Sequence, residues 1–582
     1  MQTRPDLKRT ANASATGLLP NRWDAAAFVL IIGLLAMMVI GWRESSAPIT
    51  ALQTQPVSLD PAHLPGYALR TTLRMLAAMV ASLLFTFTYA TLAAKSRRAA
   101  QLLIPALDIL QSVPVLGFIS FTVTFFLGLF PQRVLGAELA AIFAIFTAQA
   151  WNMAFSFYQS LRTLPGDLTE VARGFHLSGW QRFWKLEVPY AMPGLVWNMM
   201  MSMSGAWFFV VASEAITVGD HVIALPGVGS YLALAIAQQS LAAVGWVVLT
   251  MVVVILAYDQ LLFRPLVAWS DKFRMEDTST GRAPQSWVLG LMRRTRLVHR
   301  LLLPLGALLG WLARLRLTPA FARSAPVNPA PRAPSRQVDL AWNLAVLALV
   351  LYLLWRLVAY VSTGATWHDV GQVLGLGAIT LLRVTVLIAL SSLLWVPLGV
   401  LIGLRPRLAE RIQPLAQFLA AFPANLLFPV FVVAIVHWRL NPDIWLSPLL
   451  VLGTQWYILF NVVAGTSAYP NDYREVAANF GIRGWQWWRR CMLPGIFPYY
   501  VTGAITASGG AWNASIVSEM VQWGDTKIAA HGLGAYIAQH TEAGDFPRII
   551  LGVAVMALYV TLFNRLLWRR LYAYAETHLR MN

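Results

Sequence analysis

The chain runs to 582 residues, of which 58% are hydrophobic and 12% charged, whereas a soluble globular domain carries about 25% charged residues. A water-soluble class is excluded, and the long apolar runs point to an all-α polytopic membrane protein. The net charge of +18 fits basic residues gathered in cytoplasmic loops rather than a nucleic-acid partner, and a lone cysteine, Cys491, rules out an intrachain disulfide or a cysteine-based metal cluster.

In chain order, residues 1–22 read as a cytoplasmic tail holding Arg4, Lys8, Arg9 and Arg22. The apolar run that follows has no small-residue cleavage site behind it, so an uncleaved first membrane helix is expected near 23–42. Further spans are expected near 66–94, 104–130, 135–160, 190–218 and 240–263, completing a first half over 23–270. Residues 271–338 form a cytoplasmic linker rich in Arg and Pro. Its piece 326–334 should be extended or irregular, and its Leu/Arg-mixed stretch 287–317 reads either as an interfacial amphipathic helix or as a loosely structured spacer. A second half, 339–582, has spans near 339–361, 373–404, 414–437, 444–468, 495–521 and 547–568. The total is about 12 helices in two tandem sets of six. An even number per set makes the repeats parallel. Lys95, Arg97, Arg98, Arg162, Arg173, Arg405, Arg407, Arg489 and Arg490 fall in loops on one side, which places both termini in the cytoplasm.

The halves are copies. EVARGFHLSGWQRFWKLEVP (170–189) recurs as EVAANFGIRGWQWWRRCMLP (475–494), 305 residues later. The same offset relates Gly205 and Trp207 to Gly510 and Trp512, Ser213 and Glu214 to Ser518 and Glu519, and Gly227 and Gly229 to Gly532 and Gly534. Upstream the offset is 309, relating Arg74 to Arg383, Pro105 to Pro414 and Pro114 to Pro423. Ala90 and Ala94 match Gly399 and Gly403, small residues spaced for close helix packing. Each polar island should start a short helix after Pro165 or Pro470, with Asp167–Glu170 and Asp472–Glu475 in capping-box spacing. A second box, Ser178–Gln181, is lost in the second copy, which has Arg483. Ala172, Ala477 and Ala478 are small enough to let a partner approach.

This pattern resembles the EAA loop of ABC importer permeases: Glu-Ala-Ala, then a glycine, a hydrophobic residue, Leu-Pro and a further proline. Glu519-Met520, Gly532-Leu-Gly534 and the closing Asn564–Arg570 run resemble, more narrowly, the fused anion-transport permeases for nitrate, sulfonate, taurine and bicarbonate. The resemblance implies two permease halves of type I ABC importer-like fold in the bacterial cytoplasmic membrane. It also implies two cytoplasmic ATPase subunits docked on the islands and an extracytoplasmic solute-binding protein delivering a small anion. Coupling residues carried over are Glu170, Ala172, Gly174 and His176, and Glu475, Ala477 and Gly481. His176 stands where the family has the glycine kept as Gly481, so the first turn is expected to bend away from the pattern.

Several residues are candidates to line a path or gate. Ser204, Trp207, Asn513, Ser515 and Ser518 offer a polar lining, or else hydrogen bonds between helices. Glu214 and Glu519, near the outer ends of the fifth helices, are either gate or substrate contacts or carboxylates that accept N–H bonds from the glycine-rich loop after them. Arg74 and Arg383 either attract an anion or snorkel to the interface. The chain has no G-x-x-x-x-G-K-[ST] run and no metal-ligand spacing, so no cofactor is expected in it. ATP and Mg belong on the partner subunits, and the chain is a transport component rather than an enzyme. Two other classes stay open: a secondary transporter of the major facilitator type, and a permease-like scaffold that moves nothing.

Overall fold

The computed structural model describes residues 57–218, 221–273, 286–315 and 336–578. The expected tail 1–22, the first helix near 23–42 and the Pro-rich piece 326–334 lie outside the described residues. Among those described, seven helices are long and apolar enough to cross a membrane, or nine if each of two bent pairs is one span. The chain divides into two compact units. Among the described residues, one holds 156–200, 256–273 and 286–315, and the other holds 57–155, 201–218, 221–255 and 336–578.

The first half begins with α1 (Leu64–Lys95). Next come α2 (Arg97–Ser112), a 3-10 turn at Val115–Phe118, α3 (Ile119–Leu129) and α4 (Val134–Arg162). The island supplies α5 (Gly166–Gly174) and α6 (Gly179–Arg182), with a π-helical turn at Phe183–Glu187. Then come α7 (Val188–Glu214), a hairpin of β1 (Ala215–Val218) and β2 (His221–Ala224), α8 (Val228–Ala237) and α9 (Leu241–Tyr258). A second π turn at Asp259–Phe263 leads into α10 (Arg264–Ser270). The linker is helical where described, as α11 (Trp287–Arg294) and α12 (Arg296–Arg314). Helix α12 leaves Leu303, Leu308, Leu309 and Trp311 exposed.

The second half repeats the order. It has α13 (Arg336–Val361), α14 (Trp367–Gly403), α15 (Pro406–Ala421), a 3-10 turn at Ala424–Leu427 and α16 (Phe428–His437). The next span is broken into α17 (Pro442–Trp445), α18 (Leu449–Leu452) and α19 (Trp456–Ser467). The second island is α20 (Asn471–Asn479) and α21 (Gly484–Trp487), with a π turn at Trp488–Met492. It leads to α22 (Leu493–Ser518), the hairpin β3 (Met520–Trp523) and β4 (Thr526–Ala529), α23 (Leu533–Ala543), α24 (Phe546–Phe563), a π turn at Asn564–Trp568 and α25 (Arg569–His578). Both hairpins pair antiparallel in the same register, Ala215 with Ala224 and Met520 with Ala529.

The third span of each half was expected to be continuous, and both are broken at the same place. Pro114 and Pro423 carry no N–H and disfavour helix in the residue before them, so each stops a helix and opens a 3-10 turn. Packing follows the small residues elsewhere. A Cβ on Gly399 would stand 2.7 Å from Val462, and one on Gly403 2.6 Å from Thr466, so α14 lies directly on α19. Helix α13 has none of its most apolar window buried. A helix apolar all round and exposed requires lipid as its solvent.

Candidate functional site: the two islands and the cavity between matched helices

The islands share one backbone design. In the first, α5 ends with the His176 N–H donating to Arg173 O (2.8 Å) and the Leu177 N–H to Ala172 O (3.1 Å). In the second, Gly481 N–H donates to Ala478 O (3.0 Å) and Ile482 N–H to Ala477 O (2.9 Å). These bonds make Schellman closures, which require a left-handed residue just past the helix. His176 takes that conformation at φ 51° and Gly481 at φ 64°. The expectation that His176 would bend the first turn is therefore corrected: the turn is kept, and the histidine bears the left-handed strain.

Of the coupling residues first singled out, only Ala172 and Ala477 are withdrawn from the surface, and Ala478 beside them is exposed. Ala172 and Ala477 are buried within the chain, 5% and 3% exposed, so they do not offer a partner a small-residue surface. One position before each and three after it, Val171 and Phe175 are exposed, as are Val476 and Phe480, with the phenylalanines at 76% and 78%. These pairs are spaced i, i+4 and share one helix face. Glu170, Gly174, His176, Glu475 and Gly481 are also exposed. Asp167 and Asp472 do not form caps. Pro165 and Pro470 occupy the N-cap positions, and the aspartates sit in the first turn, where a negative charge meets the positive end of the helix dipole. The Ser178–Gln181 box is complete: Ser178 N–H donates to Gln181 Oε1 (3.1 Å) and Gln181 N–H to Ser178 Oγ (3.3 Å). Arg483 makes no side-chain cap in the second copy.

Glu214 and Glu519 are fully buried and share three matched donors, Glu519 taking a further bond from Ala535 N–H at 3.2 Å. Glu214 accepts from Gly229 N–H at 2.7 Å, Thr71 Oγ1 at 2.7 Å and Arg74 Nη1 at 2.6 Å. Glu519 accepts from Gly534 N–H at 2.8 Å, Thr380 Oγ1 at 3.0 Å and Arg383 Nη1 at 2.6 Å. The glycines are obligatory: a Cβ on Gly227 or Gly532 would run into the carboxylate, and one on Gly229 or Gly534 would run into the α7 or α22 backbone. The carboxylates thus take loop N–H bonds, one of the two readings left open. Arg74 and Arg383 do not snorkel. Arg74 is bidentate to Glu138 (2.6 and 2.7 Å) and also donates to Pro226 O (3.1 Å). Arg383 donates to His531 O (3.1 Å) and lies 3.7 Å from Asp443, which stands 305 residues after Glu138. Sequence reasoning missed Glu138 and Asp443, although the shared offset could have found them.

Between α7 and α22 lies a cavity of about 80 Å³. Ser204, Gly205 and Phe208 line it from α7, Gly510 and Asn513 from α22, and Thr454 and Tyr457 at the start of α19. Its described lining has no charged side chain. The Thr454 hydroxyl is buried with no partner among the described residues. The position shared by Phe208 and Asn513 ties each helix to the break in the opposite half. Asn513 Oδ1 accepts from Val115 N–H (2.9 Å), just past Pro114, and Phe208 O accepts from Asn425 Nδ2 (3.2 Å), just past Pro423. Of the expected lining, Ser204 and Asn513 face the cavity. Trp207 is buried away from it, Ser515 donates to Trp512 O at 2.8 Å, and Ser518, Glu214 and Glu519 are fully buried outside its lining.

Twin islands, twin buried ion clusters and a cavity where matched helices meet define a duplicated, all-α, multi-pass membrane permease. The chain belongs to the family of binding-protein-dependent transport system inner membrane components, which matches residues 86–264 and 395–580, one match in each half. It is 26% identical over 189 residues to the nitrate import permease protein NrtB of Leptolyngbya laminosa, covering 32% of this chain and 64% of that one. It is 27% identical over 186 residues to the bicarbonate transport system permease protein CmpB of Synechococcus elongatus, with the same coverage of 32% and 64%. The glycine betaine/proline betaine transport system permease protein ProW of Escherichia coli is 24% identical over 230 residues, 39% of this chain and 60% of that one. The chain spans less than two thirds of the length of these relatives.

Proposed function

We propose that the chain is the membrane-spanning part of an ATP-driven importer, carrying a small anion of the nitrate or bicarbonate class through the cavity between α7 and α22. Two cytoplasmic ATPase subunits dock on the two islands, and a binding protein delivers the solute on the opposite side. The observation that carries this reading is the repeated surface: an identical Schellman-closed helix presents Val171 and Phe175 in one copy and Val476 and Phe480 in the other. Exposed aromatic residues on a rigid, polar turn suit insertion into a partner's cleft. The names of the relatives support the solute class. The neutral hydroxyl and amide groups of Ser204, Thr454, Tyr457 and Asn513 suit an anion that must be held weakly enough to leave.

The test is co-purification with the cognate ATPase, and ATPase stimulation, for the unaltered chain against Phe175→Ala plus Phe480→Ala, with Glu170→Ala plus Glu475→Ala in parallel. Loss of assembly is expected. Full assembly by both double variants would sink the docking reading, and uptake without any ATPase would favour a secondary transporter.

A further inference from the structure

The linker folds back onto the first island. Helix α11 is anchored on the first half, where Trp287 Nε1 donates to Gln260 Oε1 at 3.3 Å. Helix α12 ends at Arg314, and the Leu315 N–H caps Leu312 O at 3.2 Å. Two carbonyls of this last turn also accept from α6: Trp180 Nε1 donates to Leu312 O at 2.7 Å and Gln181 Nε2 to Arg314 O at 2.8 Å. Gln181 therefore works at both ends, its Oε1 closing the Ser178 capping box and its Nε2 holding the linker. The second island has the same Trp-Gln pair, but Trp485 is 72% exposed and Gln486 is exposed as well.

We propose that the end of linker helix α12 is a brace for the first coupling island, with Trp180 and Gln181 as the positioning residues that join them. The brace fixes α6 against a second helix, so a push arriving at the first island is shared with the linker, while the second island moves alone. This rests on the docking reading above. It adds that the two islands transmit motion unequally, and that the linker is a working part rather than a tether.

The carboxamide lets the brace be cut without uncapping α6. In Gln181→Glu, a carboxylate oxygen still accepts from Ser178 N–H, but the donor to Arg314 O is gone and a negative charge faces the carbonyl end of α12. Ser178→Ala does the reverse, losing the cap and keeping the brace. Both variants, with Trp180→Phe, are compared in the full-length chain reconstituted in nanodiscs with its ATPase. Hydrogen exchange over residues 306–315 and solute moved per ATP hydrolysed are the readouts. Gln181→Glu should speed exchange there about fivefold, the equivalent of one net hydrogen bond of about 1 kcal/mol, and lower solute moved per ATP at least twofold while the ATPase stays bound. Trp180→Phe should act in the same direction, and Ser178→Ala should fray 179–182 without releasing 306–315. Unchanged exchange in Gln181→Glu would overturn the brace. Faster exchange with an unchanged ratio of solute to ATP would overturn its role in coupling. Failure of the unaltered chain to bind an ATPase would instead remove the docking reading, and the functional role with it, while the exchange measurement still reports the contact by itself.

Discussion

His176 shows how a single residue can look like a break in a motif and still keep its shape. Left-handed backbone costs a residue with a Cβ about 1 kcal/mol more than glycine, and the Schellman bonds of α5 impose it all the same. His176→Gly should therefore leave the island's form intact and raise its local stability by about 1 kcal/mol, read as slower amide exchange at 176 and 177. His176→Val should loosen the same turn, since a β-branched side chain tolerates positive φ worst. The buried carboxylates make the opposite kind of case. Glu214 is paired with an Arg74 that is itself 4% exposed, so removing Arg74 strands a buried carboxylate. Arg74→Met alone should cost about 3–5 kcal/mol, seen as a lower unfolding temperature in detergent, and Glu214→Gln should cost less because Arg74 stays paired with Glu138. Arg74→Met combined with Glu214→Gln and Glu138→Gln should recover part of that loss. Recovery would mark the cluster as architecture, and a stable but inactive triple variant would mark it as working machinery.

At the scale of elements, the islands were the most legible part of the chain. A polar, basic stretch carried twice in an apolar sequence stands out without any structure. The offset of 305 also carries through the π turns, Phe183–Glu187 with Trp488–Met492 and Asp259–Phe263 with Asn564–Trp568. Those turns could not be read in advance, because one extra residue per turn leaves hydropathy unchanged. The breaks after Pro114 and Pro423 were hidden in the same way, with apolar sequence on both sides. The hairpins were missed because four-residue strands are too short for a period of two to register against their neighbours. Ala172 was misread for a different reason: alanine fits a close partner and a buried contact equally well, and only the direction of Val171 and Phe175 separates the two. Single variants Phe175→Ala and Phe480→Ala should each weaken ATPase binding by about 2 kcal/mol or more if these side chains are interface anchors, measured by titration of the ATPase onto the reconstituted chain.

On the scale of the molecule, the duplication is kept in the core and relaxed at the edges. The interlock through Phe208 and Asn513 uses one position from each half against the opposite break, through a backbone carbonyl on one side and a side-chain amide on the other. Asn513→Leu should leave the Val115 N–H unsatisfied and cost about 1–3 kcal/mol, whereas Asn425→Leu leaves only a carbonyl with a spare lone pair and should cost less. Comparing the unfolding temperatures of the two variants checks that order. The membrane class and the repeat followed from composition and spacing. The cavity did not, because its lining is gathered from α7, α19 and α22, and no local pattern announces that gathering.

His176 and Gly481 perform the same turn with different residues, which is possible because both copies lie on one polypeptide. In a transporter assembled from two identical chains, every mutation strikes both sides at once, and a lethal defect at one docking site cannot be told from a mild defect at two. Here each substitution falls on one side while its counterpart stays native in the same molecule. On the docking proposal, the unaltered island serves as a built-in control, and the share of the coupling borne by one side becomes a quantity that ordinary point mutagenesis can measure.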